Sequence, residues 1–316
     1  MDIRYNAYGP WLRKKFGERV YKVSVDGGFS CPNRDGTIGT GGCIYCRNDS
    51  FRPTGASRGK DLEIQVANGI NYLSRRFKAT KFLLYWQNYT NTHAEVEALE
   101  EIYYRGLSAD ERIVGMTIGT RPDCLEEDKL DLLEKIARDF FVSLEIGMES
   151  CVDHTLEWSG RGHDFACFLD AAERVRKRKL PFCTHVILGF PGEERDTLLG
   201  YPDILNRIGS SFAKFHHLHV IEGTALAGTY RQNPFPLFSS REWLELICDI
   251  LERLDPGIVV QRMFSWCPPG IEILPRWNMS RSELILAISR TLISRNSWQG
   301  KLSGKPCSWE DFVVED

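Results

Sequence analysis

The pattern of apolar and polar positions predicts an alternation of strands and helices along most of the chain. Residues 20–25 (V-Y-K-V-S-V) alternate with the period of two that is typical of a half-buried strand. Residues 81–86 (K-F-L-L-Y-W) form a nearly continuous apolar run, as in a parallel strand covered on both faces. The predicted strands are 20–25, 81–86, 113–118, 141–146, 183–188 and 213–221, with 258–264 as a candidate seventh.

Segments between the strands repeat apolar residues every three or four positions, which predicts amphipathic helices. These helices are 61–77, 94–104, 125–138, 165–179 and 196–208, followed in the last third by 241–254 and 280–294. Six successive strand–helix units favour a parallel sheet with right-handed crossovers. We therefore predict an α/β fold, a partial (β/α)6 TIM-like barrel with a C-terminal α/β extension.

The pattern divides the chain into three parts, none of which predicts a separate domain. Residues 1–19 are a mixed aromatic and basic lead-in, for which a capping helix is favoured over a functional arm. Residues 20–223 hold the repeated strand–helix units and form the barrel core. Residues 224–316, which begin with a loop punctuated by Pro234 and Pro236, form an extension packed on the same domain.

Three cysteines lie in one glycine-rich loop after the first predicted strand. Residues 30–46 read S-C-P-N-R-D-G-T-I-G-T-G-G-C-I-Y-C and contain Cys31, Cys43 and Cys46. Functional groups of βα barrels lie at the carboxyl ends of the strands, and glycine lets the backbone approach a bulky inorganic centre. Structural zinc sites have four ligands, and a [4Fe–4S] cluster normally takes four cysteines. Three thiolates therefore indicate a cluster with one open iron, while a zinc site with a distant fourth ligand and three ordinary buried cysteines are the alternatives.

Composition narrows the class of protein. The 316 residues are 42% hydrophobic with a formal net charge of −3, which argues against a generally basic nucleic-acid-binding surface but allows a local basic groove. The ten cysteines are spread along a long chain without an N-terminal signal segment, so a disulfide scaffold is not expected. No apolar run approaches membrane-spanning length, and we expect a protein of the reducing cytoplasm. The cysteines outside the loop show no ligand spacing and are expected to be small apolar fillers: Cys124, Cys151, Cys167, Cys183, Cys248, Cys267 and Cys307.

Polar residues cluster where the predicted strands end. The turn G-T-R-P-D (119–123) could hold ribose or carboxylate groups with Arg121 as a bidentate donor, or could simply begin a helix with Asp123 as its N-cap. Glu145 alternates with apolar neighbours and is expected to point into the barrel, where a carboxylate needs a partner. His185 lies on an apolar strand and is more typical of a hydrogen-bonded core histidine than of a ligand.

Three histidines end the sixth predicted strand, in F-H-H-L-H (215–219). The period of two predicts that His217 and His219 share one face and that His216 lies on the other. A zinc site that includes Glu222 is a less favoured alternative.

These motifs, taken in order, resemble a known family. The loop C-P-N-R-D-G-T-x-G-x-G-G-C-x-[FY]-C is similar to the cluster loop of radical SAM (S-adenosylmethionine) proteins of the YhcC/YtqA type, which are related to the Elongator-type radical SAM domain. The later segments are G-T-R-P-D, E-I-G-M-E-S, R-G-H, T-H-V-I-L-G-F-P-G-E, K-F-H-H-L-H and P-R-W. The resemblance extends from residue 20 to about residue 277. Glu149 stands where the family usually has glutamine.

The resemblance implies a fold, two cofactors and a set of site residues. Cys31, Cys43 and Cys46 would hold a [4Fe–4S] cluster whose fourth iron is chelated by the amino and carboxylate groups of SAM. Reductive cleavage of SAM would then give a 5′-deoxyadenosyl radical that abstracts hydrogen from the substrate. The apolar strand end at 186–188 would lie against adenine. The implied cofactor-binding residues are Tyr45, Thr120, Arg121, Glu145, Arg161, Val186, Leu188 and Gly189.

The resemblance indicates a substrate class less directly. Relatives of this type are associated with side-chain modification of tRNA wobble uridine, sometimes beside a separate methyltransferase, and an electron donor such as flavodoxin or ferredoxin is expected. Glu149, His217 and His219 are the candidate substrate-contacting, catalytic residues. Basic residues that could meet RNA phosphates are Arg174, Arg176, Lys177, Arg178 and Lys179, and further on Arg290, Arg295, Lys301 and Lys305. A protein or small-molecule substrate, or a zinc-stabilised RNA-binding module, are the alternatives.

Overall fold

The main sheet of the protein is a curled half-barrel of parallel strands. The computed structural model describes residues 3–47, 61–267 and 270–312. Within these residues seven strands follow one another across the sheet in the order β1-β2-β3-β4-β5-β6-β8, and a short antiparallel pair, β7 and β9, lies apart from it. The strands are β1 (Val20–Val25), β2 (Lys81–Trp86), β3 (Ile113–Thr120), β4 (Phe141–Glu149), β5 (Phe182–Leu188), β6 (Phe212–His217), β7 (Val220–Ile221), β8 (Val259–Arg262) and β9 (Glu272–Leu274).

Helices connect the strands and cover the outer face of the sheet. They are α1 (Tyr8–Phe16), α2 (Leu62–Phe77), α3 (Val96–Leu107), α4 (Glu127–Ile136), α5 (Asp153–Trp158), α6 (Phe165–Lys177), α7 (Arg195–Ile208), α8 (Ala225–Gln232), α9 (Ser240–Arg253) and α10 (Arg281–Ser294). Short 3-10 helices occupy Pro122–Cys124 and Trp309–Phe312. Because each parallel connection returns through such a segment, the carboxyl ends of the strands meet at one edge of the sheet.

The main core lies between the outer face of the sheet and the helices. It contains Phe82, Leu84 and Trp86 from β2, all fully buried, and the apolar faces of α9 and α10. α9 begins with a capping box, in which the Ser239 and Glu242 side chains each bond the other residue's backbone N–H. This cap gives hydrogen-bond acceptors to backbone N–H groups that lack a partner in the first turn of a helix, so α9 begins at a defined residue. Trp243 of α9 is fully buried in the core.

α1 closes the barrel at the amino ends of the strands. Tyr8 and Trp11 pack against Phe212 with ring centroids 5.6 and 4.9 Å away, and Trp11 lies 6.0 Å from Phe141. The lead-in is therefore a capping helix over the end of the barrel opposite to the cysteine loop.

The predicted fold class is confirmed, and the candidate seventh strand is β8, which pairs with β6. The single strand predicted at 213–221 is instead two, because the chain leaves β6 after His217 and pairs again through β7 with β9. Two helices were not predicted, α5 and α8, since six and eight residues are too short to show a clear helical period. The division of the chain at residues 19 and 223 stays a prediction.

We expect Gly115→Ala to destabilise the protein, because β3 and β4 approach too closely at this point for a side chain. Gly115 has φ +155, and a Cβ placed there would lie 2.0 Å from the carbonyl oxygen of Phe141. Forced overpacking of this kind typically costs about 1–3 kcal/mol. The matched control is Gly228→Ala in α8, where a Cβ would meet no atom within 4 Å. An alanine there should stabilise the helix by about 0.5–1 kcal/mol. Melting temperatures that fall equally in both variants would contradict this account.

Candidate functional site

A cavity of about 320 Å³ opens where the carboxyl ends of the strands meet. The cysteine loop after β1 forms one wall, and strand ends from β2 to β8 form the rest. All three loop cysteines line this cavity, with Cys43 buried and Cys31 and Cys46 half-buried. The structure therefore brings the three predicted cluster ligands to one surface.

Tight turns give the cysteine loop its shape. The Cys31 carbonyl accepts hydrogen bonds from the backbone N–H groups of Arg34 (2.7 Å) and Asp35 (3.1 Å), and the Cys43 carbonyl accepts one from Cys46 (2.9 Å). Gly42 has φ +71, and a Cβ on it would lie 2.8 Å from the Arg34 guanidinium. A glycine is required there because a side chain would push Arg34 away from the loop that it braces through the Cys46 carbonyl (2.8 Å).

Hydrogen-bond donors face the sulfur atoms. Asn33 Nδ2 lies 3.6 Å and Arg161 Nη1 lies 3.8 Å from Cys43 Sγ. Burial and the neighbouring Cys43 raise the pKa of the Cys46 thiol, and the Arg34 guanidinium opposes that rise. Donors and positive charge beside sulfur stabilise thiolates, which are the form that binds metal.

Arg161 joins the cysteine loop to the end of β4. Its Nη2 donates to the Gly147 carbonyl (3.0 Å) and lies 3.5 Å from Glu149 Oε1, while Nη1 reaches Cys43. Asn33 Nδ2 in turn donates to the carbonyls of Gly160 (2.7 Å) and Arg161 (2.9 Å). A Cβ on Gly147 would lie 2.4 Å from Arg161 Nη2. Gly147 of E-I-G-M-E-S thus leaves room for this arginine, and Gly162 of R-G-H leaves room for Asn33, whose Oδ1 would lie 2.6 Å from a Cβ there.

Glu149 ends β4 in a left-handed conformation, with φ +63, and its carboxylate is buried. His185 Nδ1 lies 2.8 Å from its Oε2. Burial alone would raise the pKa of Glu149, but His185 and Arg161 lower it to about 2. The Glu149 carboxylate is therefore charged, with a donor beside each of its oxygens. His185 lines the cavity and is not the core histidine that its apolar strand predicts.

Arg121 and Tyr45 present buried donors that no group of the described chain satisfies. Arg121 is 2% exposed, and Asp123 accepts from its Nε (2.9 Å) and Nη2 (2.7 Å). Arg121 Nη1 and Tyr45 Oη are buried without a hydrogen-bond partner within the described residues. Asp123 orients Arg121 and does not cap α4, whose N-cap is Glu126. Because buried polar atoms are rarely left unpaired, these two donors indicate a polar ligand in the cavity.

Glu145 points into the barrel, as its alternation predicts, and three side chains of this chain engage it. Lys22 Nζ lies 2.7 Å from Oε1, and Lys214 Nζ (2.5 Å) and Tyr85 Oη (2.6 Å) reach Oε2. Although burial would raise it, the two lysines hold the pKa of Glu145 far below its usual range. Both oxygens of the Glu145 carboxylate are thus bonded within the barrel. A cofactor that contacted this carboxylate would share its oxygens with the two lysines and Tyr85.

The end of β5 presents a different side chain from the ones that the resemblance implied. Val186 and Leu188 are fully buried in the main core, whereas Ile187 between them lines the cavity. Gly189 has φ +95, and a Cβ on it would lie 2.7 Å from the ring of Phe238. Ile187 is therefore the apolar group that β5 offers to a ligand.

The two histidines of β6, His216 and His217, lie on opposite faces, as the period of two predicts, and His219 follows the strand. His216 faces the barrel interior, where its ring centroid lies 4.2 Å from that of His185. His217 packs on Trp277 at 3.9 Å, and its Nε2 contacts His219 Nε2. Burial lowers the pKa of His217 well below its usual value and that of His219 to about 4, so both imidazoles are neutral at pH 7. All three histidines line the cavity.

Comparison with known proteins identifies the family. Residues 35–201 match the radical SAM superfamily, and residues 210–293 match the radical SAM C-terminal domain. This chain belongs to the radical SAM superfamily. The chain is 35% identical over 300 residues to the uncharacterized protein YtqA of Bacillus subtilis, covering 95% of this chain and 93% of that protein. Protein YhcC of Escherichia coli K12 is 33% identical over 302 residues, covering 95% and 96%.

A more distant likeness extends to Elp3 proteins. The solved structure of Methanocaldococcus infernus Elp3, truncated at its N-terminus, superposes with a TM-score of 0.69 at 18% identity and covers 89% of this chain. The match spans 64% of that Elp3 chain, so the likeness shows the shared fold alone.

Radical SAM enzymes use a [4Fe–4S] cluster and SAM, and the donors present in this enzyme fit both groups. Three thiols with sulfur-facing donors suit a cubane that takes one thiolate on each of three irons. The unpaired Arg121 Nη1 suits a carboxylate. Within the described ranges no three Cys, His, Asp or Glu side chains converge closely enough for a single metal ion.

Sequence reasoning missed several residues of this radical SAM site. Lys22, Tyr85 and Lys214 complete the environment of Glu145, and Arg34 and Asn33 brace the cysteine loop. The sequence did indicate Lys22 and Lys214, because a lysine at an inward position of an apolar strand needs a buried counter-charge. The helices of the described part of this enzyme are all too short or too polar to traverse a lipid bilayer.

We expect Glu145→Gln to lower the free energy of unfolding by about 3–5 kcal/mol, because two buried lysines would lose their counter-charge. The control is Glu222→Gln, which breaks an exposed ion pair with Arg231 and should lower the free energy of unfolding far less than Glu145→Gln does. Urea midpoints of the purified variants measure both effects.

The pH dependence follows from the direction of the pKa shift. Since the folded chain lowers the pKa of Glu145 from its ordinary value of 4.5, the stabilisation is fully present above that value and is lost as the pH falls below it. The stability difference between the wild type and Glu145→Gln should therefore be constant at neutral pH and shrink in acid. A difference that grows in acid would contradict this assignment.

Proposed function

We propose that this radical SAM enzyme holds a [4Fe–4S] cluster on Cys31, Cys43 and Cys46, binds SAM beside it, and modifies a wobble uridine of tRNA. The observation that carries the cofactor part is the cavity in which three thiols face two buried, unpaired donors, Arg121 Nη1 and Tyr45 Oη. When bound, the cluster and SAM supply radical hydrogen abstraction, and the protein supplies binding, orientation and exclusion of water.

The residues around the cavity have separate roles in this proposal. Arg121, held in place by Asp123, would bind the carboxylate of SAM through Nη1, and Tyr45 would hydrogen-bond a second polar group. Thr120 lines the same wall, with its Oγ1 2.5 Å from Thr92 Oγ1. Ile187 would offer the apolar surface for adenine, with Val186, Leu188 and Gly189 forming the strand end behind it.

Arg161, Glu149 and the β6 histidines would complete the site. Arg161 supports Cys43 and stays charged between that sulfur and Glu149. Glu149 is an anionic hydrogen-bond acceptor, while His217 and His219 are neutral. The ring nitrogens of both histidines already contact Ser265, Glu272 or each other, so a substrate would share them with these partners. We propose that these three residues contact the substrate, because all of them line the cavity.

We expect Cys43→Ala to lose most of its bound iron after anaerobic reconstitution, and Cys31→Ala and Cys46→Ala to do the same, because each removes one thiolate ligand. Cys307→Ala is the matched control, since Cys307 lies outside the cavity lining and donates to the Gln299 carbonyl. Arg121→Gln should keep its iron yet bind SAM at least tenfold more weakly. Iron content and calorimetric SAM affinity measure the two properties independently. Full iron content in Cys43→Ala would refute the proposed ligand set.

The tRNA part is supported by distant relatives. The chain is 26% identical over 160 residues to the tRNA uridine(34) acetyltransferase of Methanocaldococcus infernus, covering 48% of this chain and 29% of that protein. Elongator complex protein 3 of Schizosaccharomyces pombe is 25% identical over 174 residues, covering 54% and 31%. A cavity of about 320 Å³ at the strand ends suits an extruded base, which is how enzymes reach a nucleobase that pairing would hide.

The basic stretches that the sequence offered for RNA are largely paired within the protein. Arg174 lies 2.7 Å from Asp170, and Arg178 contacts Glu127 and Asp131 (2.5 and 2.6 Å). Arg295 likewise contacts three carboxylates of α9, those of Glu245, Asp249 and Glu252. Phosphates of an RNA would therefore meet the arginines at the cavity, Arg34 and Arg47 among them, rather than these stretches.

We expect tRNA from a deletion strain to differ from parental tRNA in at least one wobble-uridine nucleoside. Plasmids that express the wild type or Cys307→Ala should restore the parental profile, whereas Cys43→Ala should not, because it lacks a cluster ligand. Mass spectrometry of digested tRNA measures this. Identical profiles in the deletion and parental strains would refute the tRNA substrate and leave the family membership intact. The flavodoxin or ferredoxin donor and the methyltransferase partner stay predictions.

A further inference from the structure

The inner wall of the cavity carries an excess of positive charge. Lys214 and Arg262 line the cavity beside the carboxylate of Glu145, and Lys22 on β1 engages the same carboxylate. Lys214 lies opposite Arg262 in the pairing of β6 with β8. Glu149 does not balance them, since Arg161 and His185 already engage its carboxylate. Two lysines share one carboxylate, and Arg262 has no acceptor among the described residues, so this wall can accept a further anion.

Arg262 is the unsatisfied member of the group. It is half-buried and lines the cavity, yet no hydrogen bond or ion pair to it occurs within residues 3–47, 61–267 and 270–312. Partial burial and the nearby Arg262 guanidinium lower the pKa of Arg281 on α10, which shows that positive charge is crowded here. The planar guanidinium of an arginine can donate two parallel N–H bonds to the two oxygens of a carboxylate or phosphate.

A second unpaired group lies on the same wall. His216 Nε2 is buried and has no hydrogen-bond partner in the described chain, and its ring lies in the cavity beside His185. Burial, His185 and then Arg262 and Lys214 lower the pKa of His216, so the ring is neutral and its Nε2 can donate to an anion. His216 on β6 and Arg262 on β8 thus line the same cavity, and neither His216 Nε2 nor the Arg262 guanidinium has an acceptor among the described residues.

This wall is separate from the groups assigned to SAM. Arg121 follows β3 and Tyr45 lies in the loop after β1, whereas Arg262 ends β8 at the opposite edge of the sheet order. Arg121 also has its own carboxylate partner in Asp123, while Arg262 has none among the described residues. We assign the ligand of Arg262 to a group other than the one that faces Arg121, and the SAM affinity of the Arg262 variants tests this separation.

We propose that Arg262, with Lys214 and His216 beside it, binds an oxyanion of the substrate, a carboxylate or a phosphate, at the inner wall of the cavity. The inference rests on the proposed function in that the substrate enters the same cavity as SAM. It deepens that function by assigning an acidic group to the part of the substrate nearest to β6 and β8. The anion would neutralise the excess charge and orient the substrate against the strand ends.

The test is calorimetric titration of the full-length, reconstituted holoenzyme with inorganic phosphate and, separately, with acetate in a chloride-free buffer of low ionic strength. We expect one of the two anions to bind at a single site and Arg262→Gln to weaken it at least tenfold, with Arg262→Lys intermediate. The matched control is Arg241→Gln, since Arg241 is exposed on α9 and outside the cavity lining, and it should stay within twofold of the wild type.

The outcomes separate the possibilities. Binding of phosphate alone indicates a phosphate of the substrate, and binding of acetate alone a carboxylate; both support the proposal. Failure of the wild type to bind either anion, or equal binding by Arg262→Gln and the wild type, overturns it. SAM affinity is measured in the same variants, and a loss of SAM binding in Arg262→Gln assigns the arginine to the cofactor and also overturns the proposal. None of these results depends on tRNA, whose test is the nucleoside profile.

Discussion

The carboxylate of Glu145 is the interaction on which the interior of the barrel depends. It joins Lys22 on β1, Tyr85 on β2 and Lys214 on β6 to β4, and Lys22 also bonds Gln261 on β8 (3.1 Å). Strands that are distant in the sheet order are therefore held across the lumen by one buried charge. A half-barrel lacks the hydrogen bonds that close a full barrel, and this network supplies contacts between its two edges instead.

The same network divides the interior into two layers. Toward the amino ends of the strands, Phe141, Phe212 and the rings of α1 fill the barrel with apolar side chains. Toward the carboxyl ends, polar side chains line a cavity. The ion pairs lie at the boundary, where a buried carboxylate is tolerated because each of its oxygens has a donor. The charged side chains of Glu145 and Lys214 thus line the inner end of the cavity, where a bound group would contact them directly.

Arg161 supports the opposite wall in a comparable way. It lies between a cluster cysteine, the backbone of β4 and Glu149, so the cysteine loop is positioned by the same strand that carries Glu145. A glutamine at position 149 could not neutralise this arginine. We infer that the exchange of glutamine for glutamate strengthens the attachment of the loop, since a charged acceptor makes the stronger hydrogen bond.

The sequence by itself determined the order of strands and helices, the place of the cysteine loop after β1 and the inward direction of Glu145, because these follow from local periodicity and from motif spacing. The period of two also predicted that His217 and His219 lie on the same face of the chain. Tertiary structure alone decided the partners: Lys22 and Lys214 meet Glu145 across 123 and 69 residues of chain, respectively. It decided as well that Ile187 rather than Val186 or Leu188 lines the cavity, and that Arg262 is left without a partner in the described chain. Such outcomes depend on how a curled sheet brings distant strand ends together. No local pattern of residues encodes which side chains of distant strands come into contact.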